Sequence, residues 1–406
     1  MNLEIGPIFR AMMRNKVGAM LIMLQIAVTM TIIANGFSII QERKALMARD
    51  SGVDIANSFH LSNVSFAEDF DMQTAVIDDL KAIRELPGVA DAIQVNAIPL
   101  SGSGWSMGLQ TEAGDDIDGS GTAVYMVDDH ALSAYDVKLI AGRNFELTDL
   151  RWRTDNTNDW ADVLIATEAL TKSLFPDLTP QEVIGKTVFI NNHEPIIIIG
   201  IIDKLQAPWS GWNNLDHVML TPDRLAFRGN RYYIRAEEGV RDDVMKRVEE
   251  TLSNRLSGRM IQGMESMEET QRESYTGASG MIKMLTLIMI VLTIITAMGI
   301  VGLASFSVNR RKKQIGTRRA LGAAKNSIIR YFMIENLIIS GAGVIVGAIL
   351  TVGLNMILVQ AFSLTPIAWY YVPIGMISLL VIGQIAVFGP AQKASSIPPA
   401  LATRSA

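Results

Sequence analysis

Gly185-Lys186-Thr187 ends like a phosphate-binding loop, in which a lysine and a hydroxyl neutralise nucleotide phosphates. The first glycine of such a loop would fall at Pro180, and without it no phosphate cradle forms. Asp115, Asp116, Asp118 and Gly119 have the composition of a calcium loop. Position 1 would then be Gly114 and position 12 Tyr125, so the ligand set fails and a solvated hairpin tip is expected. His60, His130, His193 and His217 share no metal-ligand spacing, and no cysteine or Gly-x-Ser-x-Gly elbow occurs. Trp209 and Trp212 flank Ser210-Gly211; they are read either as aromatics at the edge of a core or as an exposed contact for a partner outside the membrane. No catalytic residue and no metal site is assigned, and none of these residues identifies a general base.

The elements that must position any such residue are set by the bilayer. Residues 17–41, 284–309 and 336–392 carry no charge, and the last run is long enough for two spans. This predicts an α-helical membrane protein with four transmembrane helices at 17–41, 281–309, 331–359 and 368–390. Residues 1–16 read as an amphipathic helix on the inner membrane surface. Residue 42 to residue 280 contains no uncharged run long enough to span, and reads as an extracytoplasmic α+β domain of two lobes between helices 1 and 2. Trp369, Tyr370 and Tyr371 sit where interfacial aromatics belong. Gly343, Gly347 and Thr351, spaced by four, form a small-residue stripe for helix packing.

Charge gives the orientation. Net charge is −5, yet Arg310, Arg311, Lys312, Lys313, Arg318, Arg319, Lys325 and Arg330 occur with no acid before Glu335. The rest of the chain holds 28 positive charges against 41 negative, which argues against nucleic acid as a partner. A basic loop between two spans stays in the cytoplasm, which places 310–330 and both termini inside, with a tail at 391–406. The loop is open to two readings: a solvated face toward lipid headgroups, or a short helix whose apolar side docks on a soluble partner.

The stretch Arg311 to Ala323, "RKKQIGTRRALGA", followed by "IIRYFMIENLIISGAGVIVG", resembles the membrane subunit of ABC exporters of the FtsX/MacB family. "AGRNFELTD" (Ala141 to Asp149), "VLIATEALTKSLFP" (Val163 to Pro176) and "VIGKTVFINNHEPIIIIGII" (Val183 to Ile202) are similar to the periplasmic core domain of the same family. The resemblance implies a permease in an inner (cytoplasmic) membrane that couples a separate ATPase to movement of its periplasmic domain, for efflux of a peptide, antibiotic or similar amphiphile. It implies that 310–330 is a coupling helix loop, with Arg311, Gln314, Ile315, Arg318, Arg319 and Leu321 contacting the ATPase. Gln314 departs from the glutamate of the family signature. The implied partners are an ABC ATPase dimer that binds ATP and magnesium, a second permease (identical or related), membrane lipid, and a membrane-fusion adaptor with an outer-membrane channel. A lipoprotein-release permease and a membrane sensor or regulator of envelope processes are the alternatives.

Within the outer domain, strands are expected at 58–65, 88–100, 122–127, 195–202 and 231–236. Helices are expected at 69–85, with Val76, Leu80 and Ile83 on one face, and from Val240 to Leu252. The polar segment 259–283 has helical spacing of Glu265, Glu268, Glu269, Arg272 and Glu273. Continued into the second span from Met264 to Val308, it would be a rod about 67 Å long.

Overall fold

The computed structural model describes residues 16–66, 71–157, 159–255, 259–362 and 366–398. The amphipathic helix expected at 1–16 and the end of the tail lie outside these residues, apart from Lys16. The chain divides into two compact units, one of residues 1–48 with 278–406 and one of residues 49–277.

Helix α1 (Lys16–Met47) opens the first unit. The second unit begins with β1 (Ser58–Ser65), α2 (Met72–Arg84) and β2 (Val89–Val95). Asp71 caps α2 by accepting from the backbone N–H groups of Gln73 and Thr74. Strands β3 (Trp105–Gln110) and β4 (Ser120–Met126) form a hairpin with the Asp115–Gly119 segment at its tip. Then follow α3 (Ala131–Tyr135), β5 (Leu139–Gly142), β6 (Arg151–Arg153), β7 (Val163–Thr167), α4 (Glu168–Leu174), α5 (Pro180–Val183), β8 (Thr187–Ile190) and β9 (Glu194–Ile202). The unit ends with β10 (Val218–Thr221), β11 (Asp223–Leu225), β12 (Gly229–Ala236), α6 (Arg241–Arg255), β13 (Arg259–Ser266) and α7 (Met267–Ser274).

The strands make two main sheets. A four-stranded sheet runs β13-β1-β12-β2, so both ends of the unit's sequence meet in it. Alternation along β1 and β12 turns Phe59, Leu61, Tyr232 and Ile234 toward Val76, Leu80 and Ile83 of α2 and Val244, Val248 and Leu252 of α6. The second sheet runs β5-β9-β7-β10-β4-β3-β8, and an additional pairing of β8 with β9 closes it on itself. Ile93, Val95 and Tyr233 of the first sheet pack in one continuous core with Tyr125, Ile165 and Leu220 of the second. Gly185 stands at φ +84 in the turn before β8; its N–H donates to the Ile198 carbonyl and that of Lys186 to Val183. Both N–H groups are thus spent within the protein, holding the turn together.

The rod expected from Met264 to Val308 is not one helix. Residues 259–266 are instead an edge strand, β13, paired antiparallel with β1. Helix α7 starts only after Ser266, whose Oγ accepts from the Glu269 N–H while the Glu269 carboxylate accepts from the Ser266 N–H. That reciprocal cap is written in the sequence as Ser-x-x-Glu, and it fixes the helix start three residues past Met264. Helix α7 ends at Ser274, Tyr275 caps it, and α8 (Thr276–Arg310) begins afresh. The strand expected at 88–100 also stops early, at Val95, and Leu100 adopts φ +63.

In the first unit, α8 is followed by α9 (Lys312–Ala320), α10 (Lys325–Phe362) and α11 (Tyr371–Ser395). Helices α1, α8, α10 and α11 are long and apolar enough to cross a membrane. Helix α10 begins at Lys325, before the uncharged run, so Lys325 and Arg330 ride on its first turns. Ile26, Met30 and Ala34 of α1 pack with Ile300, Ile339, Val344 and Leu379. The Gly343–Gly347–Thr351 stripe lies on this seam. A Cβ at Gly347 would stand 2.7 Å from Met30 Cβ, and one at Gly343 3.0 Å from Ile26 Cβ. Thr31 Oγ1 donates to the Gly347 carbonyl at 3.3 Å, and Asn35 Nδ2 to the Thr351 carbonyl at 3.2 Å. Between α1 and α8, Thr29 and Thr296 hydroxyls meet at 2.8 Å and Gln25 Nε2 donates to the Ile295 carbonyl. Small residues thus bring backbones close enough for polar side chains to cross-link them.

Gly347→Leu should therefore lower the unfolding midpoint in detergent, by roughly 1–3 kcal/mol of overpacking. Gly353→Ala, inside the same helix where an added Cβ meets nothing within 4 Å, should leave it no lower and raise it slightly through the helix propensity of alanine. A second expectation concerns His60, whose pKa burial and the neighbouring Arg231 charge lower from 6.5 to about 4. Between those values the unfolded chain takes up a proton that the folded one refuses, so stability falls as pH drops from 6.5 toward 4. The loss is about 3 kcal/mol at about 1.4 kcal/mol per pKa unit. Tryptophan-detected denaturation should show this extra loss, and His60→Gln should lack it.

Candidate functional site

The basic elbow between α8 and α10 is built from one short helix with two unlike sides. On α9, Ile315 and Gly316 are buried. Ile315 packs with Val308 at the end of α8, Ile328 and Phe332 near the start of α10, and Ala391 and Ala394 near the end of α11. The apolar side of this helix thus docks on the chain's own spans. That differs from the reading in which it meets a soluble partner, because the elbow-side ends of three long helices leave a socket into which Ile315 fits.

A charged contact reinforces the apolar one. Arg311 Nη1 lies 3.1 Å from Glu335 Oε2 and 3.2 Å from the Tyr331 hydroxyl, with both ionic side chains largely buried at 17% and 11% exposure. A buried ion pair adds little net stability over an apolar packing, yet removing one partner costs about 3–5 kcal/mol because the other charge is stranded. Arg318 stacks over the Tyr331 ring at 5.3 Å, and Tyr331 meets Phe332 edge-on. Arg319 Nη1 donates to the Ala323 carbonyl at 2.9 Å, which ties the helix to the turn that follows. Gly322 in that turn has φ +90, a conformation glycine takes without strain.

The opposite side faces out. Lys312, Lys313, Gln314, Thr317, Arg318 and Leu321 are exposed, Leu321 at 83%. The six residues expected to contact an ATPase therefore separate: Gln314, Arg318 and Leu321 are presented outward, Arg319 is half-buried, and Arg311 and Ile315 anchor the elbow from within. Glu335 and Tyr331 were not singled out from the sequence. A signal for Glu335 was present, since it is the only carboxylate after Glu273 and closes the run of eight cations.

Trp209 and Trp212 belong to the 49–277 unit and meet edge-on at 5.5 Å. Both are half-buried against the core shared by the two sheets. At the β3–β4 tip, Asp115 accepts from Asn192 Nδ2 and lies 3.3 Å from His193 Nε2.

The anchor makes a direct expectation. Arg311→Met should strand Glu335, loosen α9, and raise amide hydrogen exchange across 312–320 by at least about tenfold, the equivalent of 1.4 kcal/mol. Lys312→Met, at an exposed position beside it, should leave exchange unchanged.

Comparison with known proteins agrees with both halves of this picture. Residues 19–251 match the model of the MacB-like periplasmic core domain, and residues 286–399 match the FtsX-like permease C-terminal model. The macrolide export ATP-binding/permease protein MacB of Azoarcus sp. is 26% identical over 82% of this chain and 48% of its own length. The protein of that name from Photorhabdus laumondii is 24% identical over 96% of this chain and 59% of its own length. The chain thus spans about half the length of the curated relatives it matches. The crystallised periplasmic region of MacB from Actinobacillus actinomycetemcomitans aligns with 56% of this chain and 97% of that one, at 15% identity and a TM-score of 0.34. With one family model covering more than half the chain and a second covering the elbow and the spans around it, this chain belongs to the ABC transporter permeases that carry a MacB-like periplasmic core domain and an FtsX-like permease domain.

Proposed function

We propose that the chain is the permease subunit of an ABC exporter that works by mechanotransmission. The observation that carries this reading is the two-sided elbow: a basic, exposed outer face on a helix pinned to three spans from within. An ATPase outside these 406 residues, in the form of a dimer with ATP and magnesium, grips Gln314, Arg318 and Leu321. When its two halves close, the pinned helix cannot slide, so the load passes into α8, α10 and α11 through Ile315 and the Arg311–Glu335 pair. Helices α1 and α8 flank the 49–277 domain in sequence and carry the movement to it.

The positive loop orients the spans with both termini in the cytoplasm and the domain, as two lobes, outside the inner membrane. The polar side chains within the spans, such as Thr29, Thr31, Asn35 and Thr296, are engaged in helix-to-helix hydrogen bonds, which supports a cargo that is handled by the outer domain and does not pass through the bilayer inside this subunit. The cargo is a peptide, antibiotic or similar amphiphile, by analogy with relatives named for macrolide export. Four spans make half a transporter, so a second permease, identical or related, completes it. A membrane-fusion adaptor and an outer-membrane channel extend it in a cell with two membranes. Release of lipoproteins is the second reading, and binding of a lipoprotein by the outer domain would favour it.

The test is charge reversal at the outer face. Lys313→Glu with Arg318→Glu, both at exposed positions, should abolish cargo-stimulated ATPase activity of the purified complex, a fall of at least about tenfold, while both subunits still fold. Unchanged stimulation in that double variant would refute the coupling role.

A further inference from the structure

The 49–277 unit contains a cavity of about 680 Å3 beside a second of about 460 Å3, and the two share Ser62, Ser103 and Arg231. Each lies in the size range of small-molecule sites. The floor is the four-stranded sheet on the side away from α2 and α6. Arg231 of β12 lies opposite Ser62 of β1, and His60 of β1 lies opposite Glu265 of β13. Trp209, the Ser101–Gly102 turn and the Ser210–Gly211 turn border the larger cavity.

Arg231 is the distinguishing group. Its Nη1 donates to the Asn96 carbonyl at 2.8 Å, which holds the side chain in place. Among the described residues this is its one hydrogen bond and it makes no ion pair, although it is only partly exposed. A half-desolvated guanidinium with free donors has a strong unspent preference for a carboxylate, which it can take in a two-point contact. The neighbouring ring adds no competing charge: His60 Nε2 is engaged with Thr270 Oγ1 at 2.8 Å, and burial keeps the imidazole neutral. Glu265 and Glu273 supply acceptors at the far side of the larger cavity. Trp209 lines the larger cavity and is braced edge-on by Trp212, which makes it a fixed wall for an apolar body.

We propose that this double cavity is a binding site for a carboxylate-bearing amphiphile. The carboxylate sits on Arg231 at the neck between the cavities, the apolar body lies along Trp209, and hydroxyl groups donate to Glu265. A cationic amphiphile could set its charge only against Glu265 and Glu273 at the far side, leaving Arg231 without a counter-charge at the neck, and binds more weakly. The site is defined by the domain alone and rests on the exporter reading only for its use in loading cargo.

Fusidate, a steroid carboxylate with hydroxyl groups, is a suitable probe below its micellar concentration. Calorimetric titration of the full chain in lipid nanodiscs, corrected with empty nanodiscs, should give saturable binding. Arg231→Gln should weaken it at least tenfold, with Arg231→Lys between that variant and the parent, and Trp209→Ala should weaken it several-fold. The uncharged methyl ester of fusidate should bind equally to the parent and Arg231→Gln proteins, and more weakly than fusidate binds the parent. Circular dichroism reports whether each variant keeps its fold. Absence of saturable binding to the parent, equal affinity of parent and Arg231→Gln for fusidate, or tighter binding of cationic erythromycin would overturn the proposal. Failure here with coupling through the elbow intact would leave the exporter reading standing.

Discussion

The seating of Ile315 and Arg311 against the ends of α8, α10 and α11 is the constraint on which the functional account depends. A basic loop that merely floated at the headgroups could bind a partner but could not pass force to anything. Burial of one isoleucine contributes only about 1.5–3 kcal/mol, and the ion pair contributes little net stability over apolar packing. Their weight lies in specificity. The pair is costly to break once formed, so α9 is held in one register against α8, α10 and α11. Its charged outer face is then available without being part of that anchorage.

Rigidity further along the spans comes from a different source. Lipid removes the hydrophobic drive between helices, so packing and interhelical hydrogen bonds must supply it. Gly343 and Gly347 let α10 approach α1, and Thr31, Asn35 and Thr351 bridge the close approach. Helix α8 differs: few of its residues are buried, and Leu287, Ile294 and Met298 are exposed along it. In water such a surface would aggregate, and in a membrane it is free to face lipid or another helix. The elbow therefore joins a tightly seamed group, α1 with α10, to a loosely packed one.

Much of this was legible in the sequence because its strongest signals are long and crude. Uncharged runs of membrane length and a loop with eight cations need no tertiary information. The strands at 58–65 and 195–202 and the helix carrying Val244, Val248 and Leu252 were equally readable from periodicity. Short-range competition was harder. Residues 259–266 have helical charge spacing, yet pairing with β1 at a sheet edge makes them a strand, and the Ser266–Glu269 cap marks where the helix starts. The inward role of Arg311 was hidden for a related reason. Its partner Glu335 lies 24 residues on, and only the turn of chain through α9 brings the two together.

The absence of cysteine makes the central claim open to direct measurement. Spin labels at Gln314 on the elbow and Leu337 on α10, in a complex diluted with unlabelled permease, report their separation by pulsed electron resonance with and without ATP. If the elbow moves as one body with its spans, the distribution stays narrow and its mean is unchanged by nucleotide. A shift of several ångströms, or a broad distribution that sharpens only with ATP, would mean that the elbow moves independently of α10, and force could not pass as described.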